Sequence, residues 1–177
     1  MKLPDDMFKQ EILQFLTVYD IKKLDNACMN HEYRLQLLEK ISGVILLGDK
    51  DNFMKASLFQ WLGMRRIYLI NMKIVEIVDD DDDDDSCYAV NMENNYVDQF
   101  RFIQHLVMIG AIRDDMAIFI ISHCPCLLSI DISAENCDEQ VTDHTLQSIA
   151  EHCTGRLQSL SLSYCDVITD TGLITLH

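Results

Sequence analysis

The stretch His123-Cys-Pro-Cys-Leu-Leu-Ser-Ile130-Asp-Ile132 is repeated, with small changes, by His152-Cys-Thr-Gly-Arg-Leu-Gln-Ser-Leu160-Ser-Leu162. His123-Cys124 returns 29 residues later as His152-Cys153, and Ile130-x-Ile132 returns 30 later as Leu160-x-Leu162. Cys137 returns as Cys165, and Val141-Thr142-Asp143 returns as Ile168-Thr169-Asp170, 28 and 27 residues on. A weaker third copy lies upstream, where Ile112-Arg113-Asp114 stands 12 residues before Cys124, as Val141 stands 12 before Cys153. A period of 27 to 30 residues signals one supersecondary unit stacked on copies of itself in a solenoid.

Each unit reads as one short strand followed by one helix. Ile130-Asp-Ile132 and Leu160-Ser-Leu162 alternate apolar with polar, as a half-buried strand does. Thr142-Asp143 offers side-chain oxygens to the unpaired N–H groups of a helix carrying Leu146, Ile149 and Ala150. The pattern resembles the cysteine-containing subclass of leucine-rich repeats found in F-box/leucine-rich-repeat proteins. Cys153, Leu157, Leu160, Leu162, Cys165, Ile168, Thr169, Asp170 and Leu173 carry the resemblance. The preceding copy departs from it by extra residues between Ile132 and Val141. The resemblance implies an α/β solenoid of parallel strands with outer helices, and says nothing of a ligand.

A chain of 177 residues accommodates one domain with a sizeable core, or a small module joined to a short solenoid. The net charge of −15, from 29 acidic and 14 basic residues, argues against general nucleic-acid binding, which needs Lys and Arg in excess. It argues equally against an anionic membrane surface. Met1-Lys-Leu-Pro-Asp-Asp shows no secretory signal, and no apolar run approaches the roughly 20 residues that span a bilayer. The seven cysteines, without a secretory signal, are expected as reduced thiols in the cytoplasm or nucleus.

Residues 1–43 read as a small helical module. Pro4 suits a helix opening, Met7, Phe8, Ile12, Phe15 and Leu16 mark one apolar face, and Asp20 is expected to cap a second helix with Ile21 and Leu24. A third carries Tyr33, Leu35, Leu37, Leu38 and Ile41 and stops at Gly43. Leu3-Pro4, Ile12-Leu13, Phe15-Leu16, Asp20-Ile21, Leu24 and Ala27-Cys28 resemble the opening of an F-box. Where that motif continues with a basic residue and a tryptophan, this chain has Met29-Asn30-His31-Glu32.

Residues 44–78 read as an irregular capping or first repeat, with a helix around Phe53, Leu58, Phe59, Trp61 and Leu62 and strands at 65–69 and 74–78. Trp61 is expected in the core. Asp79 to Asp85, within residues 79–95, is a solvated acidic loop by its like-charge density; calcium binding would need turn glycines and alternating ligands that it lacks. Residues 96–177 hold the repeats.

His123, Cys124, Cys126, His152 and Cys153 can be drawn as a zinc cluster, but the Thr154-Gly155 of one copy replaces the Pro125-Cys126 of the other. Stacked cysteines that pack as small hydrophobes are the favoured reading, with no metal and no cofactor. A Cys–His nucleophile pair finds no supporting motif. His105 and His144 are expected at exposed edges.

The resemblance implies a non-catalytic substrate-recognition subunit of an SCF-type cullin–RING ubiquitin ligase. A Skp-type adaptor would contact Leu3, Pro4, Ile12, Leu13, Leu16, Ile21 and Leu24. A protein substrate would meet the outward strand residues Ser129, Asp131, Ser133, Ser159, Ser161 and Ser163. The alternative is a leucine-rich-repeat interaction scaffold with no ligase role, its first helices serving as a cap. Twelve residues beyond Ile168 lies past His177, so Leu173, Ile174 and Leu176 are expected to lie uncovered unless further repeats or another chain cover them.

Overall fold

The structure is a computed structural model that describes residues 13, 16–48, 56–76, 97–134, 141–153 and 155–176. The first described helix, α1 (Val18–Ala27), opens one turn earlier than the sequence suggests. Its cap is Thr17, whose hydroxyl accepts the Asp20 N–H at 3.1 Å, while the Asp20 carboxylate accepts the Thr17 N–H at 3.1 Å. Asp20 therefore closes a reciprocal capping box from inside the helix rather than capping it. In α2 (His31–Ile41) the Asn30 side chain accepts the N–H groups of Glu32 and Tyr33 at 3.0 and 3.2 Å.

Two short parallel strands, β1 (Ile45–Leu46) and β2 (Tyr68–Leu69), enclose α3 (Ala56–Arg65) between them in the chain. Gly48 leaves this pair with φ of 75°, and a Cβ there would stand 2.2 Å from the Asn71 carbonyl oxygen. Only glycine allows the backbone to pass so close. After Ile70, β3 (Asn71–Glu76) begins three residues before the sequence-based start at Ile74, and residues 77–78 lie outside the described residues, as do Asp79–Asp85.

A 3₁₀ turn (Val97–Phe102) then leads into β4 (His105–Gly110), α4 (Asp114–Ser122), β5 (Ser129–Ala134), α5 (Asp143–Cys153), β6 (Ser159–Ser163) and α6 (Asp170–Ile174). The four strands β3 to β6 form one parallel sheet in chain order. Each strand enters it in the same way. The Ile70 carbonyl accepts the N–H groups of Gln104 and His105, that of Gln104 accepts Leu128 and Ser129, and that of Leu128 accepts Gln158 and Ser159.

One face of the sheet is buried and the other is not. Met72, Ile74, Leu106, Met108, Ile130 and Ile132 are essentially inaccessible, whereas Asp131 between the last two is exposed. The helices α4, α5 and α6 pack in a row against the buried side. Leu13, Val18, Ile21 and Ile41 belong to the same apolar core as Leu58, Trp61, Leu62 and these strands. β3 thus shares one sheet with β4 to β6, while β1 and β2 pair separately, and the first helices share the core of that sheet.

Neighbouring units are joined by a repeated carboxylate–threonine link. Asp114 accepts the Thr142 N–H at 2.8 Å, the Thr142 hydroxyl, and the Thr145 hydroxyl at 2.6 Å. One unit on, Asp143 accepts the Thr169 N–H at 2.8 Å and the Thr169 hydroxyl at 2.6 Å. Each threonine also caps its own helix, since Thr142 accepts the His144 N–H and Thr169 the Thr171 N–H, both at 3.2 Å. Gly172 occupies the place of Thr145, and a Cβ there would lie 2.2 Å from Oδ1 of Asp143. Gly172→Ala is therefore expected to push Asp143 off Thr169 and lower the melting temperature by about 3 °C, measured by circular dichroism; an unchanged melt would show that the carboxylate moves aside without loss.

Candidate functional site

The candidate site is the uncovered face of the parallel sheet. The strand register sets its residues in three rows across the strands. Asn71, His105, Ser129 and Ser159 form the first, Lys73, Val107, Asp131 and Ser161 the second, and Val75, Ile109, Ser133 and Ser163 the third. Adjacent strands lie about 4.8 Å apart, so each row spans roughly 14 Å. All six strand residues expected from sequence therefore share one surface. They are joined there by Lys73, Val75, His105, Val107 and Ile109, which the sequence reading missed.

The middle of this surface is exposed at Asp131 and Ser161, and its β3 side carries Lys73. Two strand spacings separate Lys73 from Asp131 in the middle row. His105 is half-buried and its Nδ1 lies 2.8 Å from the Ser129 hydroxyl, which corrects the expectation that it sits at an exposed edge. Asn71, at the end of the same row, is buried with its side-chain oxygen unpaired. A serine beside a histidine can suggest a nucleophile and its base. The paired strand N–H groups on either side of Ser129 are held in the ladder. What the surface offers is hydroxyls, one carboxylate, one ammonium group and a few apolar side chains.

Of the adaptor-facing residues expected from sequence, the four described ones do not share one exposed surface. Leu3, Pro4 and Ile12 lie outside the described residues. Leu13 and Ile21 are 2% and 1% exposed and sit in the core, so within this chain they bind α1 to the rest of the fold. Leu16 is half-buried against the same core, and Leu24 is exposed. Met29, Tyr33 and Leu35 are exposed beyond Leu24. A signal for them exists in the sequence: Tyr33, Leu35, Leu37, Leu38 and Ile41 are more apolar positions than the one stripe a surface helix can bury.

The thiols and imidazoles of the repeats are engaged locally. Nδ1 of His123 lies 2.7 Å from the Phe119 carbonyl and Nδ1 of His152 lies 2.9 Å from that of Ser148, four residues back in each case. Both rings so satisfy carbonyls in the last turn of their helices. Cys124 and Cys153 are buried, and burial pushes both thiols up, away from the thiolate that a metal or an electrophile needs. Among the described residues no group of three or more His, Cys, Asp or Glu is placed to hold a metal ion, and no described helix is long and apolar enough to cross a membrane. Compared with known protein families, with curated proteins and with solved structures, the chain matches none.

Proposed function

We propose that this chain is a protein-binding receptor of the leucine-rich-repeat kind, with the open face of its parallel sheet as the docking surface. Its specific form is the substrate-recognition subunit of an SCF-type cullin–RING ubiquitin ligase. The observation that carries the receptor reading is the two-sidedness of the sheet. Leu106, Met108, Ile130, Ile132 and Ala134 face inward and are buried, while the outward residues of β4 and β5 are half-buried or, at Asp131, exposed, and they mix Ser129, Asp131 and Ser133 with His105, Val107 and Ile109. Side chains such as Asp131, Ser129 and Ser161 sit on rigid strands, which lowers the entropy lost on binding.

The ligase form rests on the F-box-like opening from Leu3-Pro4 to Cys28 and on the exposed apolar residues Leu24, Met29, Tyr33 and Leu35 beside it. In that role the chain makes and breaks no bond; it raises the effective concentration of a bound substrate near the ligase. The partners are a Skp-type adaptor with its cullin complex and a protein substrate, acting in the cytoplasm or nucleus. A specific observation favours the second reading, a scaffold without a ligase role: Leu13 and Ile21 are spent on the chain's own core, as residues of a cap would be.

Co-purification separates the two. The full chain is expected to retain a Skp-type adaptor, and the Leu3→Ala, Pro4→Ala double variant to lose about tenfold in affinity while its melting temperature holds. Failure of the unmutated chain to retain any such adaptor removes the ligase form and leaves the scaffold.

A further inference from the structure

The last strand–helix unit is finished on one side and bare on the other. β6 pairs with β5 along one edge, and among the described residues no strand pairs along its other edge. That edge reads Ser-Leu-Ser-Leu-Ser, with no proline, lysine or inward charge to discourage pairing. Side chains that are fully buried in the earlier units are open here. Ala117 and Leu146 are inaccessible, whereas Leu173 at the same place in α6 is 46% exposed. Val141 is inaccessible, whereas Ile168 is half-buried. An open groove of about 610 Å³ runs along this side, lined by Ile149, Ala150, Cys153, Leu157, Leu160 and Leu176 among others.

The carboxylate–threonine link indicates what would fit. Asp114 holds the threonine of the next unit and so does Asp143. Asp170 stands at the same first helical position, is exposed, and has no hydrogen-bond partner among the described residues. We propose that this side of the stack is a docking surface for one further strand–helix unit of the same kind. Its strand would run parallel to β6, its helix would pack beside α6 as α6 packs beside α5, and a threonine before its helix would donate its N–H and hydroxyl to Asp170. A second copy of this chain does not fit that description. Its first full unit carries Arg113 where the threonine is needed. The inference is independent of the ligase reading, since it concerns a different surface and a different partner.

Repeating residues 151–177 once after His177 tests it. The addition completes α6 to the length of α5 and places a copy of Thr169 as far beyond Asp170 as Thr169 lies beyond Asp143. Melting is compared for the original and lengthened chains, each with and without Asp170→Asn. The lengthened chain is expected to melt about 5 °C higher, with Asp170→Asn lowering only the lengthened chain, by about 3 °C. Equal melting of the original and lengthened chains would overturn the proposal, as would an Asp170→Asn effect of the same size in both. Light scattering covers the remaining case. If the original chain forms concentration-dependent oligomers that Asp170→Asn disperses, the occupant is a second copy and the proposal fails.

Discussion

Replacing Asp25 with alanine is expected to lower stability by about 3 kcal/mol and the melting temperature by about 10 °C. Asp25 lies on α1 and is fully buried. Its carboxylate accepts Nε of Arg34 at 2.7 Å from α2, and Nε1 of Trp61 at 3.0 Å and a guanidinium nitrogen of Arg65 at 3.4 Å from α3. One side chain therefore ties three helices together. Burial alone would raise its pKa, but the hydrogen bonds from Arg34 and Trp61, with the charges of Arg34 and Arg65, outweigh it and hold the carboxyl below the usual range.

Alanine would strand the buried Trp61 N–H and leave the Arg65 guanidinium, whose Nε already has no partner, short of its counter-charge. Arg34 is 41% exposed and can turn to water, so Arg34→Ala is expected to cost less than half as much. Trp61→Phe isolates a single hydrogen bond, worth about 1 kcal/mol. Urea unfolding of the three variants measures this order. A loss under 1 kcal/mol for Asp25→Ala would place the cluster with ordinary surface ion pairs and leave apolar packing alone to hold the helices.

None of this joint is visible in the sequence. Asp25 and Trp61 are separated by 36 residues, and no local pattern pairs them. The strand–helix repeat is visible because a parallel stack needs each unit to place the same residue type at the same point. Ile130 and Ile132 are buried, and Leu160 and Leu162 stand beside them in register. β4 escapes because His105-Leu-Val-Met-Ile-Gly is a nearly continuous apolar run without alternation. Its outward residues Val107 and Ile109 were missed with it. At Thr17 and Asp20 both side chains are good caps, and only the geometry shows that they cap each other. Leu13 and Ile21 mark a deeper limit. An apolar stripe shows that a helix is covered, without showing whether the cover is the same chain or another.

The repeated Thr-Asp of the last two units is equally plain in the sequence, yet its energetic meaning lies in the link to the preceding unit. Asp114→Ala is expected to cost about 2 kcal/mol and about 6 °C in melting temperature. It removes the acceptor for the Thr142 N–H and for two hydroxyls, one of them on the fully buried Thr145. Asp115→Ala next to it is the control. Asp115 is 71% exposed and among the described residues pairs with the partly exposed Arg113 and its neighbour's N–H, so its loss should stay within about 0.5 kcal/mol.

The pH dependence separates charge from packing. Burial alone would raise the Asp114 pKa, but the hydrogen bonds from Thr142 and Thr145 outweigh it and the carboxyl titrates below its ordinary value. Its contribution is therefore complete above the unfolded-state pKa of about 3.9 and disappears as pH falls through the lower folded-state value. The stability gap between wild type and Asp114→Ala should be constant from pH 7 to about 5, then close as acid protonates the folded protein. Urea unfolding from pH 7 to pH 2.5 reads it directly. A gap that persists at full size in acid would mean that the aspartate acts through its shape, and that the link between units does not depend on its charge.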